Sequence, residues 1–138
     1  MDTKKFLLAG LIGGVAYFFL GWLIYGILLR DLMVLPEDFK SIIEYPEEEF
    51  RISYMIMSCL AFSYFITFIF MKWAGIKTFK TGAKAGAIIG LFVSFSIGTS
   101  MVSMYKFALM ANTLWDMLGS AITVGITGGI IGWYLGRK

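Results

Sequence analysis

Residues 6–29 read F-L-L-A-G-L-I-G-G-V-A-Y-F-F-L-G-W-L-I-Y-G-I-L-L, an unbroken run with no charged side chain. About 20 apolar residues suffice for a helix to cross a hydrocarbon core roughly 30 Å thick. The run is therefore long enough to span a bilayer. Inside lipid no water satisfies backbone polar groups, so each crossing must satisfy its own, and a continuous apolar run does this as an α-helix. Barrel strands show roughly ten-residue alternation instead, and the run has none. Lys4 and Lys5 precede it as they would a signal peptide. However, the run exceeds the 7–15 residues of a signal core and no small-x-small cleavage site follows Leu29, so it reads as a retained span.

Three more runs of this kind follow, at about 52–71, 85–105 and 113–135. The whole chain is 59% hydrophobic and 15% charged, against about 25% charge in a soluble domain. The expected fold is all-α: a polytopic membrane protein whose 138 residues form a single four-helix transmembrane bundle. The connections differ sharply in charge. Residues 30–51 carry Asp31, Glu37, Asp38, Glu44, Glu47, Glu48 and Glu49 against Arg30, Lys40 and Arg51, for a net charge of −4. Residues 72–84 carry Lys72, Lys77, Lys80 and Lys84 with no acid, and Lys4, Lys5, Arg137 and Lys138 flank the outer spans. Basic residues mark the cytoplasmic side, so both termini and the basic loop are expected inside and the acidic loop outside. Trp73 and Trp133 then fall at the inner interface, and Tyr105 and Trp115 at the outer one, as aromatic belts require.

Within the acidic loop, Pro36-Glu37-Asp38 followed by Phe39, Ile42 and Ile43 predicts a short interfacial helix. Pro46 ahead of Glu47, Glu48 and Glu49 predicts that the second span starts above the membrane, with acids complementing its dipole.

The clearest pattern in the third span is a small-residue ridge, Gly82, Gly86, Gly90, Ser94 and Gly98, recurring every four residues. Such ridges let helices approach closely in lipid, where hydrophobicity no longer discriminates between neighbours. The fourth span answers with Ala121, Gly125 and Gly129 and with a second row at Gly128, Gly132 and Gly136, so these two spans are expected to cross tightly. The serines and threonines of spans two to four are expected mainly to bond carbonyls of their own or neighbouring helices.

Asp116 is the one acid inside an apolar run, and intramembrane ionisable residues are functional candidates by default. Thr113 followed by Asp116 has the spacing of a capping box, and Lys106 is placed to pair with the carboxylate across a short turn. Asp116 and Lys106 therefore form a candidate polar or ion site with a structural alternative.

The chain has no histidine and a single cysteine, Cys59. Histidine-ligated haem and an internal disulfide are thereby excluded. No G-x-S-x-G elbow or phosphate loop is present, and nine methionines match no copper-ligand spacing. The sequence points to no enzyme, no metal or other cofactor and no nucleic-acid partner. Its expected partners are the lipid bilayer and either copies of itself or a larger membrane complex.

The stretches G-G-V-A-Y-F-F-L-G-W-L-I-Y-G-I-L-L (13–29) and K-W-A-G-I-K-T-F-K-T-G-A-K-A-G-A-I-I-G-L (72–91) resemble a family of small bacterial four-span proteins without an assigned activity. The resemblance covers most of the chain. It implies a bacterial inner-membrane location and adds no site residues. Two functional classes follow from the residues. One is a non-enzymatic accessory or scaffolding subunit that assembles through small-residue helix faces. The other is an oligomeric small channel or transporter, with the hydroxyl face of span three and Asp116 lining its path.

Overall fold

A computed structural model describes residues 1–137; Lys138, counted above among the basic residues, lies outside them. The described chain is helical, with no strand among the described residues. Four helices are long and apolar enough to cross a membrane. Helix α1 is Thr3–Leu23 and continues through a π-helical turn at Ile24–Leu28; α2 is the short Glu37–Ile43; α3 is Ile52–Ile69, extended by a π-turn at Phe70–Ala74; α4 is Phe79–Met104 and α5 is Met110–Leu135.

The helices outrun the apolar windows because hydrogen bonding continues through polar residues that can sit above the hydrocarbon. Helix α4 begins at Phe79, capped by the Thr78 side chain, so Lys80 and Lys84 lie on its first turns and the connection from α3 shrinks to residues 75–78. That connection turns on Gly75 at φ 60°, a left-handed conformation that ends the preceding helix and that glycine adopts without penalty. Helix α5 begins three residues earlier than its apolar run, at Met110.

Two local expectations are overturned. Thr113 does not cap α5: the N-cap is Leu109, and the Thr113 hydroxyl instead donates back to the Leu109 carbonyl at 3.4 Å. The glutamates after Pro46 do not open α3 either. They form a separate 3-10 turn at Glu47–Glu49, and α3 starts at Ile52 with no acid in its first turn. Residues 50 and 51 interrupt the helix between the two.

Helix α5 is the hub of the assembly. It packs along α4 on one side and against α1, and more lightly α3, on the other, while α1 and α3 pack on each other. The core between α1, α3 and α5 is filled by Ile66, Phe70 and Ile131, and Val124 lies against Gly90 of α4; all four are fully buried. Helix α4 lies outside this triangle. The start of α1, the end of α5 and the 75–78 connection share one end of the bundle: Lys5 Nζ donates to the Arg137 carbonyl, and Gly136 lies against the Lys77 backbone. The acidic segment and the 105–109 connection share the other end. There the Asn112 side chain clamps Val34, accepting from its N–H at 3.1 Å and donating to its carbonyl at 2.7 Å.

Candidate functional site: a glycine seam and an intramembrane carboxylate

The ridge on α4 is spent inside the chain. A Cβ at Gly82 would lie 2.2 Å from the Gly128 carbonyl oxygen; at Gly86, 2.3 Å from that of Val124; at Gly90, 2.5 Å from that of Ser120. Gly98 abuts the Thr113 side chain. Each step of four or eight along α4 is matched by a similar step back along α5, which is the register of an antiparallel pair. The contact runs from Gly82 to Gly98, about 24 Å of helix at 1.5 Å per residue. Backbone meets backbone along the half of this length from Gly82 to Gly90, and dispersion over so close an approach holds the pair together in lipid.

Ser94 completes the ridge; it is buried, and its hydroxyl donates to the Leu91 carbonyl at 3.3 Å. The α5 glycines named from sequence play different parts. Gly125 receives Ala87, whose Cβ would lie 3.2 Å from a Cβ added there, and Gly129 makes room for the Phe79 ring.

A second set of glycines seats α1. Gly10, Gly13 and Gly14 accept Tyr64, Ser63 and Leu60 of α3, and Gly13 also accepts Ile131 of α5. The Ser63 hydroxyl crosses to the Gly10 carbonyl at 2.8 Å, whereas Thr67 and Thr123 each return to their own helix at 2.8 Å. Thr127 Oγ1 is enclosed and finds no hydrogen-bond partner. Of these buried hydroxyls, that of Ser63 joins two helices, and those of Thr67 and Thr123 are satisfied within their own.

Asp116 lies six residues into α5, about 9 Å along the axis. A 26-residue helix is about 39 Å long and overshoots a 30 Å core by a few ångströms at each end, so Asp116 sits just inside the hydrocarbon boundary at the acidic end. It does not pair with Lys106, which is exposed in the 105–109 connection; no nitrogen-oxygen approach of 4.0 Å or less joins them. Asp116 instead faces α1. The Tyr25 hydroxyl donates to the Asp116 main-chain carbonyl at 3.2 Å, and the Asp116 carboxylate and Ser120 hydroxyl lie beside the same phenol. Gly119 permits this approach, since a Cβ there would lie 3.2 Å from the Tyr25 ring and hydroxyl and 2.6 Å from Leu29. Tyr17, two turns deeper on α1, packs on the Phe62 ring at 5.3 Å and borders the apolar core.

Tyr25 and Gly119 were not singled out from sequence. The available signal was the i, i+3 spacing of Asp116 and Gly119, a polar group and a gap on one helix face. The arrangement holds a carboxylate among phenol and serine hydroxyls, a set suited to a hydrogen-bonded cation or proton. Among the described residues no group of three or more acidic or cysteine side chains is placed to hold a metal ion.

Comparison with protein-family models, with curated proteins and with solved structures yields no match to this chain.

Proposed function

We propose that the chain is a non-enzymatic accessory or scaffolding subunit of a bacterial inner membrane, with both termini cytoplasmic, and that it associates with further copies of itself or with a larger membrane complex. The charge asymmetry between the two ends of the bundle supports the orientation. The resemblance of residues 13–29 and 72–91 to small bacterial four-span proteins supports the location.

One observation carries the assembly reading. The glycine faces expected to mediate it are occupied within the chain, yet α4 packs chiefly on α5 and leaves its opposite face bare. That face presents Ser96 and Ser100 one turn apart, beside Ile97, Met101 and Met104, around a depression of about 350 Å³. Thr99 and Ser103 bond their own helix at 2.7 Å, but the Ser96 and Ser100 hydroxyls do not. Two untied hydroxyls facing lipid are an unfavourable surface that a neighbouring helix relieves.

In a Cys59→Ser background, Ser100→Cys should form a disulfide-linked dimer in native membranes on mild oxidation, and subunit counting by photobleaching in native nanodiscs should show more than one copy. A single bleaching step together with no crosslink to itself or to another membrane protein would sink the reading.

A transport reading has its own support in Asp116 and Tyr25, where a phenol of α1 bonds the backbone of α5 beside a carboxylate. It requires cation or small-solute flux into proteoliposomes that Asp116→Asn changes.

A further inference from the structure

We infer that the end of the bundle bearing both termini holds a binding site for one anionic phospholipid, with its headgroup phosphate between the start of α1 and the end of α5. The inference does not depend on the assembly reading, only on the membrane location.

Asp2, Lys4, Lys5, Leu8, Tyr134 and Arg137 border an open cleft of about 420 Å³. Three cations from opposite ends of the chain thus face one carboxylate. That carboxylate is already engaged, because Asp2 Oδ1 accepts from the Lys5 main-chain N–H at 3.2 Å. Two of the cations are held in place. Lys5 donates to the Arg137 carbonyl, and the Arg137 guanidinium lies 4.6 Å over the Trp133 ring, which fixes it at the depth of the interface. Lys5 also borders a second cleft with Lys77, which extends the positive surface to the 75–78 connection. Nothing acidic lies in the first turn of α1, where Lys4 and Lys5 oppose the helix dipole. A phosphate between them and Arg137 compensates that arrangement, and basic pockets between membrane helices at this depth suit phospholipid headgroups.

The apolar side of the site distinguishes a phospholipid from a free phosphate. Leu8, at the edge of the cleft, shares a stripe of α1 with Leu11 and Val15. Those two residues line a separate, wholly apolar groove of about 200 Å³ with Phe18, Phe19 and, from α3, Ile56 and Leu60, on the neighbouring flank of α1. The groove lies between about 10 and 22 Å from Lys4 along the helix axis, the depth reached by an acyl chain whose headgroup sits at the cleft.

The test is native mass spectrometry of the full chain released from nanodiscs that contain equal phosphatidylglycerol and phosphatidylcholine with identical acyl chains. The wild type should retain one phosphatidylglycerol with a preference of roughly tenfold. Lys5→Gln with Arg137→Gln should reduce the preference to within about threefold. Lys72→Gln with Lys84→Gln removes the same charge from the same end of the bundle and should leave the preference unchanged. Leu11→Trp, which fills the groove and keeps every cation, should shorten lipid retention. Circular dichroism checks that each variant is folded, and the Leu11→Trp result stands if the double variant is not. Equal loss in both charge-removing variants would show only a general surface field and overturn the inference. So would full displacement of the lipid by millimolar inorganic phosphate combined with an unaltered Leu11→Trp variant, which would assign the cleft to free phosphate.

Discussion

Gly86→Ala tests the seam between α4 and α5 at its centre. The added Cβ would lie 2.3 Å from the Val124 carbonyl oxygen and 3.0 Å from its carbon, and ordinary contact begins at 3.4 Å. The obstacle is backbone, so no side chain can rotate away and the helices must separate locally by about 1 Å. A radial gap of 0.5–1 Å forfeits a quarter to a half of each atom-pair attraction of about 0.1–0.2 kcal/mol. Overpacking of this kind costs about 1–3 kcal/mol. Opposing it, alanine is a better helix former than glycine by up to about 1 kcal/mol. Gly21→Ala isolates that second term, since nothing lies within 4 Å of a Cβ placed there. Reversible unfolding in mixed micelles, followed by tryptophan fluorescence, should show Gly86→Ala destabilised by about 1–2 kcal/mol and Gly21→Ala neutral or slightly stabilised. If the two variants agree to within about 0.5 kcal/mol, the backbone-to-backbone seam is not what holds α4 in place.

Four further outcomes follow from the geometry. Asn112→Ala removes both partners of the Val34 backbone, so the Val34 amide should exchange faster and residues 31–51 should be cleaved more readily by added protease, for a loss of about 1–2 kcal/mol. Tyr25→Phe deletes the hydrogen bond to the Asp116 carbonyl and should cost about 0.6 kcal/mol in micelle unfolding, the average for such bonds in membranes; a loss several times larger would mean that the carboxylate is also held by this phenol. Thr127→Val replaces an enclosed, unpartnered hydroxyl with a methyl group and should be neutral or stabilising by up to about 1 kcal/mol, whereas a clear loss would reveal a partner for Oγ1. Gly136→Leu at the end of α5 meets the Lys77 carbonyl and should expose the 75–78 connection to proteolysis, with little change at the opposite end of the bundle.

The spans were legible because lipid imposes one demand, a helix of sufficient apolar length, and 6–29 states it without ambiguity. The ridge Gly82, Gly86, Gly90, Ser94 was legible for a related reason: with no hydrophobic contrast between helix and solvent, small residues at the helical period are the main sequence record of a close contact. The opposite side of that contact was less so. Gly128 and Gly132 of the second row do meet Gly82, whereas at Gly86 and Gly90 the closest groups are the carbonyls of Val124 and Ser120, and a carbonyl is present whatever the side chain. The capping box at Thr113 failed because an apolar window marks where lipid begins, whereas α5 keeps its hydrogen bonds through Ala111 and Asn112 above it. The orientation of Asp116 toward Tyr25 depends on the register of α1 against α5, two helices 91 residues apart at that contact, and no local spacing encodes it.

The distribution of polarity among the spans bears on what surrounds the molecule. Helix α5 is the least apolar of the four and the most enclosed, with 44% of its 18-residue apolar window buried, as expected of a helix shielded from lipid by its neighbours. Helix α4 breaks that relation. Only 17% of its 18-residue apolar window is buried, less than in any other span, yet it carries Ser96, Thr99, Ser100 and Ser103 in its half near the acidic end. Helical hydrogen bonds to Phe95 and Ser100 account for Thr99 and Ser103. Ser96 and Ser100 remain as exposed donors on a helix that otherwise meets hydrocarbon, and a helix selected to face only lipid gains nothing from them. Under the proposed assembly, these two hydroxyls would meet the second neighbour of α4, outside its own chain. The outward face of α4 is therefore the surface on which oligomer and partner experiments should concentrate.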